Sequence, residues 1–354
     1  MLISVIIGIE MRNKILIVGG GIFGLTSAIE LARLGNWVTI HEELDDVMKA
    51  ASGINQYRLH AGYHYPRSKE TARDCKESVQ NFKNKYHPCI MNGSVEHYYS
   101  ISKENSLISG QQYINFLDDM GLFYEETKPT KNCELTIKAE EYLFSPIRLR
   151  RLLLDGVDLW NIDLKLNHKT NRREFSNFDY VIIGTYSKIN ELVDNKKEYQ
   201  FEICEKPVVK LPNKYKNKSI VIMDGPFMCL DPYDSTDYHV LGNVVHAIHD
   251  TTIGYEPILN NDLEKYLNKG IIENPKITNI DKFIDTGKVY FDGFEDLEHI
   301  GSMYTIRTVL KDREHDDARP TIVNQEDENV FSVFSGKIVT CIESAKKLIE
   351  VIDG

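Results

Sequence analysis

The sequence predicts an α/β chain, α+β overall, and three observations carry that prediction. An apolar run at 15–18 breaks into glycines and then a helical pattern, with a second apolar run at 37–40. Between 219 and 249 the pattern becomes alternating strands around Tyr233-Asp-Ser-Thr, which suits an antiparallel sheet. Near the C-terminus a strand, a glycine turn and an amphipathic helix recur.

The first stretch is the most informative. Ile15 to Val18 reads as a strand, and Leu25, Ala28, Ile29, Leu31, Ala32 and Leu34 fall at helical spacing. Gly35 ends that helix, and Trp37 to Ile40 forms the next strand before His41 and Glu42. Gly19, Gly21 and Gly24 stand in G-x-G-x-x-G order within this strand–turn–helix–strand setting, with Ile22 and Phe23 opening the helix. Gly19 makes the tight turn, Gly21 admits a pyrophosphate to the backbone, and Gly24 lets the helix pack on its strand. The helix N-terminus then offers free N–H groups to a diphosphate, and Glu42 can accept the ribose hydroxyls. This is the pattern of a doubly wound, Rossmann-like dinucleotide-binding domain. The bland alternative is a glycine-rich turn that holds no ligand.

Composition narrows the class. The 354 residues suffice for two domains, and 42% hydrophobic with 27% charged residues is a globular profile. A net charge of −11 argues against nucleic acid or an anionic membrane as the main partner. Cys75, Cys89, Cys133, Cys204, Cys229 and Cys341 form no CxxC pair and no metal-ligand spacing. Free thiols in a reducing cytoplasm are therefore expected, with no metal site. Residues 1–10 are apolar but too short to span a bilayer and lack a basic flank, so they read as a dispensable extension.

After Glu42 comes Ala51-Ser52-Gly-Ile-Asn55-Gln-Tyr-Arg-Leu-His60-Ala-Gly-Tyr-His-Tyr-Pro-Arg67, dense in polar and aromatic side chains that suit a cleft. Placed behind the glycine motif, this segment resembles the FAD-dependent D-amino-acid oxidase superfamily, nearest its glycine-oxidase and 2-hydroxyglutarate-oxidase-like branch. The resemblance implies a doubly wound FAD domain and a β-rich, mainly antiparallel substrate domain over the flavin. It also implies that Ala51, Ser52 and Asn55 lie along the cofactor and that His60 approaches the flavin ring. The implied division is 11–75, 143–205 and 300–354 for a discontinuous FAD domain, with 76–142 and 206–299 for the substrate domain.

Further along, helices are expected over 68–90, 111–120, from Ser145-Pro146, and over 262–268. Strands are expected at 94–102, 162–166 and 178–185, the last ending in the small Gly184-Thr185 turn that passes under the cofactor in the resembled family. The family's adenine-contacting valine has no evident counterpart near Asn167 and His168. His239, His246 and His249 lack metal-ligand spacing and read as strand histidines, although His246 or His249 can face the cleft. At the C-terminus, 329–334 reads as a strand, Ser335-Gly336-Lys337 as a turn, and 338–352 as a helix beginning with Ile338 and Val339. In the superfamily this turn covers the flavin edge where negative charge develops, and helix-end donors stabilise that charge. The family's usual Gly-His-Gly form is Ser-Gly-Lys here. Arg307 stands where the superfamily often clamps a substrate carboxylate, although the Gly-x-Arg-Pro context is absent. A guanidinium suits that task through bidentate contact.

These readings imply an FAD-dependent oxidoreductase, oxidase or dehydrogenase. It would move a hydride from a CH–NH or CH–OH carbon of an amino acid, hydroxy acid or sugar derivative to the flavin. His60 is the candidate base, covalent flavin anchor, or plain hydrogen-bond partner. Two rivals remain: an NAD-dependent dehydrogenase, which leaves 51–67 and the Gly336 turn unexplained, and a non-catalytic flavin or nucleotide binder of the same fold.

Overall fold

The computed structural model describes residues 13–91, 95–225, 227–258, 261–311 and 320–353. The extension expected at 1–10 lies outside them. In chain order the first elements are β1 (Lys14–Val18), α1 (Ile22–Arg33), β2 (Trp37–His41), β3 (Arg58–Leu59), α2 (Lys69–Tyr86), β4 (Glu96–Ser102) and α3 (Gly110–Met120). There follow β5 (Tyr124–Thr127), β6 (Cys133–Ala139), β7 (Tyr142–Leu143), α4 (Pro146–Leu159), β8 (Asp163–Lys165) and β9 (Tyr180–Ile183). Next come β10 (Tyr199–Lys210), β11 (Lys218–Met223), β12 (Met228–Pro232), β13 (Tyr238–Asn243), β14 (Ile248–Gly254), α5 (Asn261–Glu264) and α6 (Ile280–Tyr290). The last are β15 (Glu298–Leu310), β16 (Ile322–Asp327), β17 (Val330–Phe334) and α7 (Cys341–Asp353).

The apolar runs become a six-stranded sheet in the order β16-β17-β9-β1-β2-β8, parallel except for the β16–β17 pair. Successive side chains on a strand point to opposite faces. Ile15 and Ile17 accordingly join the core built with Leu25, Ala28 and Leu348, whereas Leu16 and Val18 join Ile183, Leu192 and Tyr199. Burial on both faces explains why β1 reads as an unbroken apolar run rather than an alternating one. Gly24 allows α1 to lie this close, because a Cβ there would stand 2.0 Å from the Gly19 carbonyl oxygen.

A nine-stranded sheet runs β14-β10-β13-β12-β11-β4-β6-β5, with β15 on β10 as well. Its pairings are antiparallel apart from β4–β11. Helix starts follow the sequence signals. Ser145 caps α4 ahead of Pro146, and Ser109 with Gln112 forms a capping box on α3.

Several sequence boundaries shift. Lys69–Tyr86 is one helix, so the division drawn at 75/76 falls inside α2. Both β10 and β15 lie wholly in the large sheet, so the divisions drawn at 205 and 300 fall inside these two strands. The helix expected over 262–268 shortens to Asn261–Glu264, since Leu267 bridges to Tyr304 instead. Residues 338–340 form a tight 3₁₀ turn, and the final helix begins at Cys341. The six cysteines are free thiols, and none of the described helices is long and apolar enough to cross a membrane.

One buried charge network ties the short antiparallel β3–β7 pair to the large sheet. Arg58 on β3 donates to Asp231 on β12, to Glu141 before β7, to the Tyr99 hydroxyl on β4 and to Ser219 on β11. Its side chain is 2% exposed, and those of Glu141 and Asp231 are 0% exposed. Replacing it strands two carboxylates without their cation. Arg58→Met is expected to lower the unfolding free energy by about 3–5 kcal/mol in urea titration; a loss below ~1 kcal/mol would show that the network is not holding β3 to the large sheet.

Candidate cofactor and substrate site

A cavity of about 520 Å³ opens where the two sheets meet. Its wall starts at the glycine turn. Gly19 has φ +108°, and a Cβ there would meet the Gly184 carbonyl oxygen at 2.8 Å. Only glycine lets β1 turn away this tightly beneath the Gly184-Thr185 turn. At the head of α1 the Ile22 N–H donates to the Ser52 hydroxyl (3.1 Å). An ideal Cβ on Gly21 would also approach that hydroxyl to 3.0 Å. The Thr185 hydroxyl, also in the wall, is buried without a hydrogen-bond partner.

Glu42 closes one end. Its Oε2 accepts from the Gly20 N–H (2.6 Å) and Oε1 from the Leu44 N–H (2.9 Å). Burial raises its pKa while those two donors oppose the rise. His168, Lys169 and Thr170 complete this end, where the sequence showed no adenine-contacting residue. The chain reaches it because the His168 N–H donates to the Glu42 carbonyl oxygen (2.8 Å). His41 packs on His168 with ring centroids 4.0 Å apart. Burial and His168 push the His41 pKa down to about 4.

His60, Lys337 and Arg307 line the cavity as well. His60 Nδ1 stands 3.7 Å from Glu141 Oε1, too far for a hydrogen bond but close enough for charge to act. Burial and then the Lys337 charge lower the His60 pKa, against the pull of Glu141. Glu141 is itself fixed by Arg58, Tyr99 and the Ala61 N–H. His60 and Arg58 hold it well below the carboxylate range despite burial. Lys337 lies with its ammonium 4.3 Å from the Tyr65 ring centroid, and burial pushes its pKa down to about 7. Arg307 on β15 turns its guanidinium edge to the buried Glu202 of β10 while lining the cavity.

Most residues singled out in the sequence meet here. Gly19, Gly21, Phe23, Glu42, Ala51, Ser52, Asn55, Gly184, Thr185, Gly336, Lys337, Ile338, His60 and Arg307 all line the one cavity. Ile22 and Val339 do not: their side chains are buried in the core beneath it. Gly24 packs under the turn rather than facing the cavity. The Asn55 amide is engaged with Ala51, Ser52 and Tyr57, which shapes the loop. The cleft-facing alternative for His246 and His249 is corrected: neither lines the cavity, and His249 pairs with Glu205. Lys206, Gln56, Cys204 and the Glu141 support were not read from sequence.

The cradle fits a dinucleotide with a bulky second end. It has a helix N-terminus beside a side-chain-free turn, an unpartnered threonine hydroxyl, a carboxylate at one end, and a polar ring-sized space at the other. Residues 14–109 match the family model described as FAD dependent oxidoreductase, DAO. The match is confined to that segment, about a quarter of the chain. A curated relative, the FAD-dependent monooxygenase kojA of Aspergillus flavus, is 39% identical over 74 residues, 21% of this chain and 17% of its own. The chain thus spans about a sixth of that relative. Over 97% of its length it superposes on the crystal structure of glycine oxidase from Geobacillus kaustophilus, with TM-score 0.70, 12% identity and 95% of that chain covered. The L-alpha-glycerophosphate oxidase from Mycoplasma pneumoniae, solved with FAD bound, gives TM-score 0.71 and 13% identity over 97% of this chain and 96% of its own. These likenesses establish the DAO-type fold, and the matched DAO family is FAD dependent.

Two outcomes test the geometry. Gly21→Val is expected to abolish FAD binding in a folded protein, because its branched side chain enters the space before α1; normal flavin content in the variant would discard the turn as the diphosphate seat. Lys337 binds fewer protons folded than unfolded between pH 7 and the ordinary lysine value of 10.5. Stability contributed at this site therefore rises with pH across that window. Urea unfolding of flavin-free protein should give a wild-type-minus-Lys337→Met difference that grows between pH 7 and pH 10. A flat difference would mean that Lys337 is solvated.

Proposed function

We propose that the chain is an FAD-dependent oxidoreductase acting at a CH–NH or CH–OH carbon of a small polar substrate, an amino acid, hydroxy acid or sugar derivative. The observation that carries this reading is the single cavity running from the DAO-family glycine turn to His60, Lys337 and Arg307 under the large sheet. Bound flavin would supply the acceptor for the hydride that leaves the substrate carbon.

The chain's own residues do the rest. Gly21, Ser52 and Thr185 sit where the diphosphate belongs, and Glu42 where the ribose does. Lys337 and the backbone at Gly336–Ile338 face the ring end, where a cation favours a reduced, more negative cofactor. Arg307, held by Glu202, presents a guanidinium to the substrate. His60 has a pKa below the ordinary histidine value, so near pH 7 its imidazole is neutral and able to accept a hydroxyl proton. The imidazolium so formed would face Glu141, whose charge stabilises it. An amine entering neutral needs no such base. That the Aspergillus relative is a monooxygenase does not select the reaction here, because the likeness covers only 74 residues, about a fifth of the chain.

The test begins with protein reconstituted with FAD, which should be yellow and hold flavin through gel filtration. Anaerobic mixing with amino-acid, hydroxy-acid and sugar panels should bleach it with one class. Tight NAD binding without flavin ends this reading. In the reactive pair, His60→Ala should slow flavin reduction about 10²–10⁴-fold with flavin retained; reduction at the wild-type rate removes His60 from the chemistry.

A further inference from the structure

We propose that the substrate carries two anionic groups, one held by Arg307 and the other by Lys206. The inference rests on the reading of this cavity as the substrate site of a flavoenzyme, and it narrows that site's substrate class.

The antiparallel β10–β15 pair places Glu202 opposite Arg307, Cys204 opposite Thr305 and Lys206 opposite Met303. Residues two apart on a strand share a face. Cys204, Lys206, Thr305 and Arg307 indeed all line the cavity. The two cations therefore stand at the ends of a four-residue run, roughly 13 Å of strand. A thiol and a hydroxyl lie between them. Both stems are long and flexible, so their heads can close on a short carbon chain with an acid at each end.

Charge makes the same point. Arg307 spends Nε and Nη2 on Glu202, which leaves Nη1 without a protein acceptor among the described residues. Lys206 is half-buried, and its hydrogen bond goes to a neutral amide, Gln56 Oε1 (3.0 Å). No acid lies within ion-pairing distance of it among the described residues. A cation removed from water without a counter-charge is costly, and a bound anion offsets that cost. Burial lowers the Lys206 pKa, and an anion would reverse the shift. The chain as a whole carries −11, so this local excess of positive charge runs against its composition. Most acids in the wall are occupied elsewhere: Glu42 by backbone donors, Glu43 by Lys188 and Glu191 by Lys169. Glu264 is exposed. Lys337 is set apart from the pair because it rests on Tyr65 beside His60, at the ring end. A neutral substrate, or one with a single carboxylate, would leave Lys206 unmatched. Carboxylate and phosphate share the chemistry required of the second group.

The experiment titrates the flavin-loaded protein with three unreactive probes, butyrate, glutarate and 3-phosphonopropionate, reading flavin absorbance and heat. Both dianions should bind at least about tenfold more tightly than butyrate, and the tighter of the two identifies the second group as carboxylate or phosphate. Lys206→Met should erase that advantage with butyrate affinity unchanged, and Lys206→Arg should restore it. Arg307→Met should weaken all three. Equal affinity for butyrate and both dianions, or an advantage that survives Lys206→Met, overturns the proposal. Protein that takes up no flavin fails the flavoenzyme reading instead, and calorimetry on that flavin-free protein still reports whether the pair discriminates between the probes.

Discussion

The rest of the site depends on one buried cation. Arg58 sits on the two-residue strand β3, yet its partners come from β4, β11, β12 and the approach to β7. A guanidinium with five donors can hold two carboxylates and two hydroxyls at once, which an ammonium cannot do with fixed geometry. Because His60 is two residues away and Glu141 is one of the partners, the same interaction that anchors the β3–β7 pair on the large sheet sets the distance between imidazole and carboxylate. The seating of β3 and the His60–Glu141 geometry are thus one constraint, and neither can be adjusted without the other.

The cavity is divided electrically along its length. At the Glu42 end the acids are answered by backbone N–H groups or lysines, and burial pushes the His41 pKa down. At the other end cations outnumber acids.

What could be read from sequence and what could not divides by the range of the physics. The glycine turn was legible because its tasks are local: φ +108° at Gly19 and a 2.0 Å approach at Gly24 admit no other residue. Caps at Ser109 and Ser145 are local in the same sense. Arg58 and Asp231, 173 positions apart, show no such mark, and Glu141 looks like any surface acid beside Glu140. Lys206 was hidden because a lysine in a strand ordinarily points to water, and only pairing with β15 shows that it faces the cavity. The helix Ile280–Tyr290 did carry its signal, with Ile280, Phe283 and Gly287 at helical spacing, but the stretch between strands was passed over. Short β16, mostly half-exposed, has no apolar pattern to read.

The six-stranded sheet draws its strands from three distant parts of the chain: 14–41, 163–183 and 322–334. Pairing of β17 with β9 closes a loop of well over a hundred residues, and such high contact order slows folding. During synthesis β9 emerges long before its neighbour and waits as an unpaired parallel edge, a surface that invites wrong partners. The Gly336 turn follows β17, so the Gly336–Ile338 wall is the last part of the cavity lining to leave the ribosome. The nucleotide end can thus assemble early, while the end that would meet the substrate is completed only by the closing segment of the chain. A half-made chain therefore lacks the cavity in which a reactive cofactor would be shielded from water.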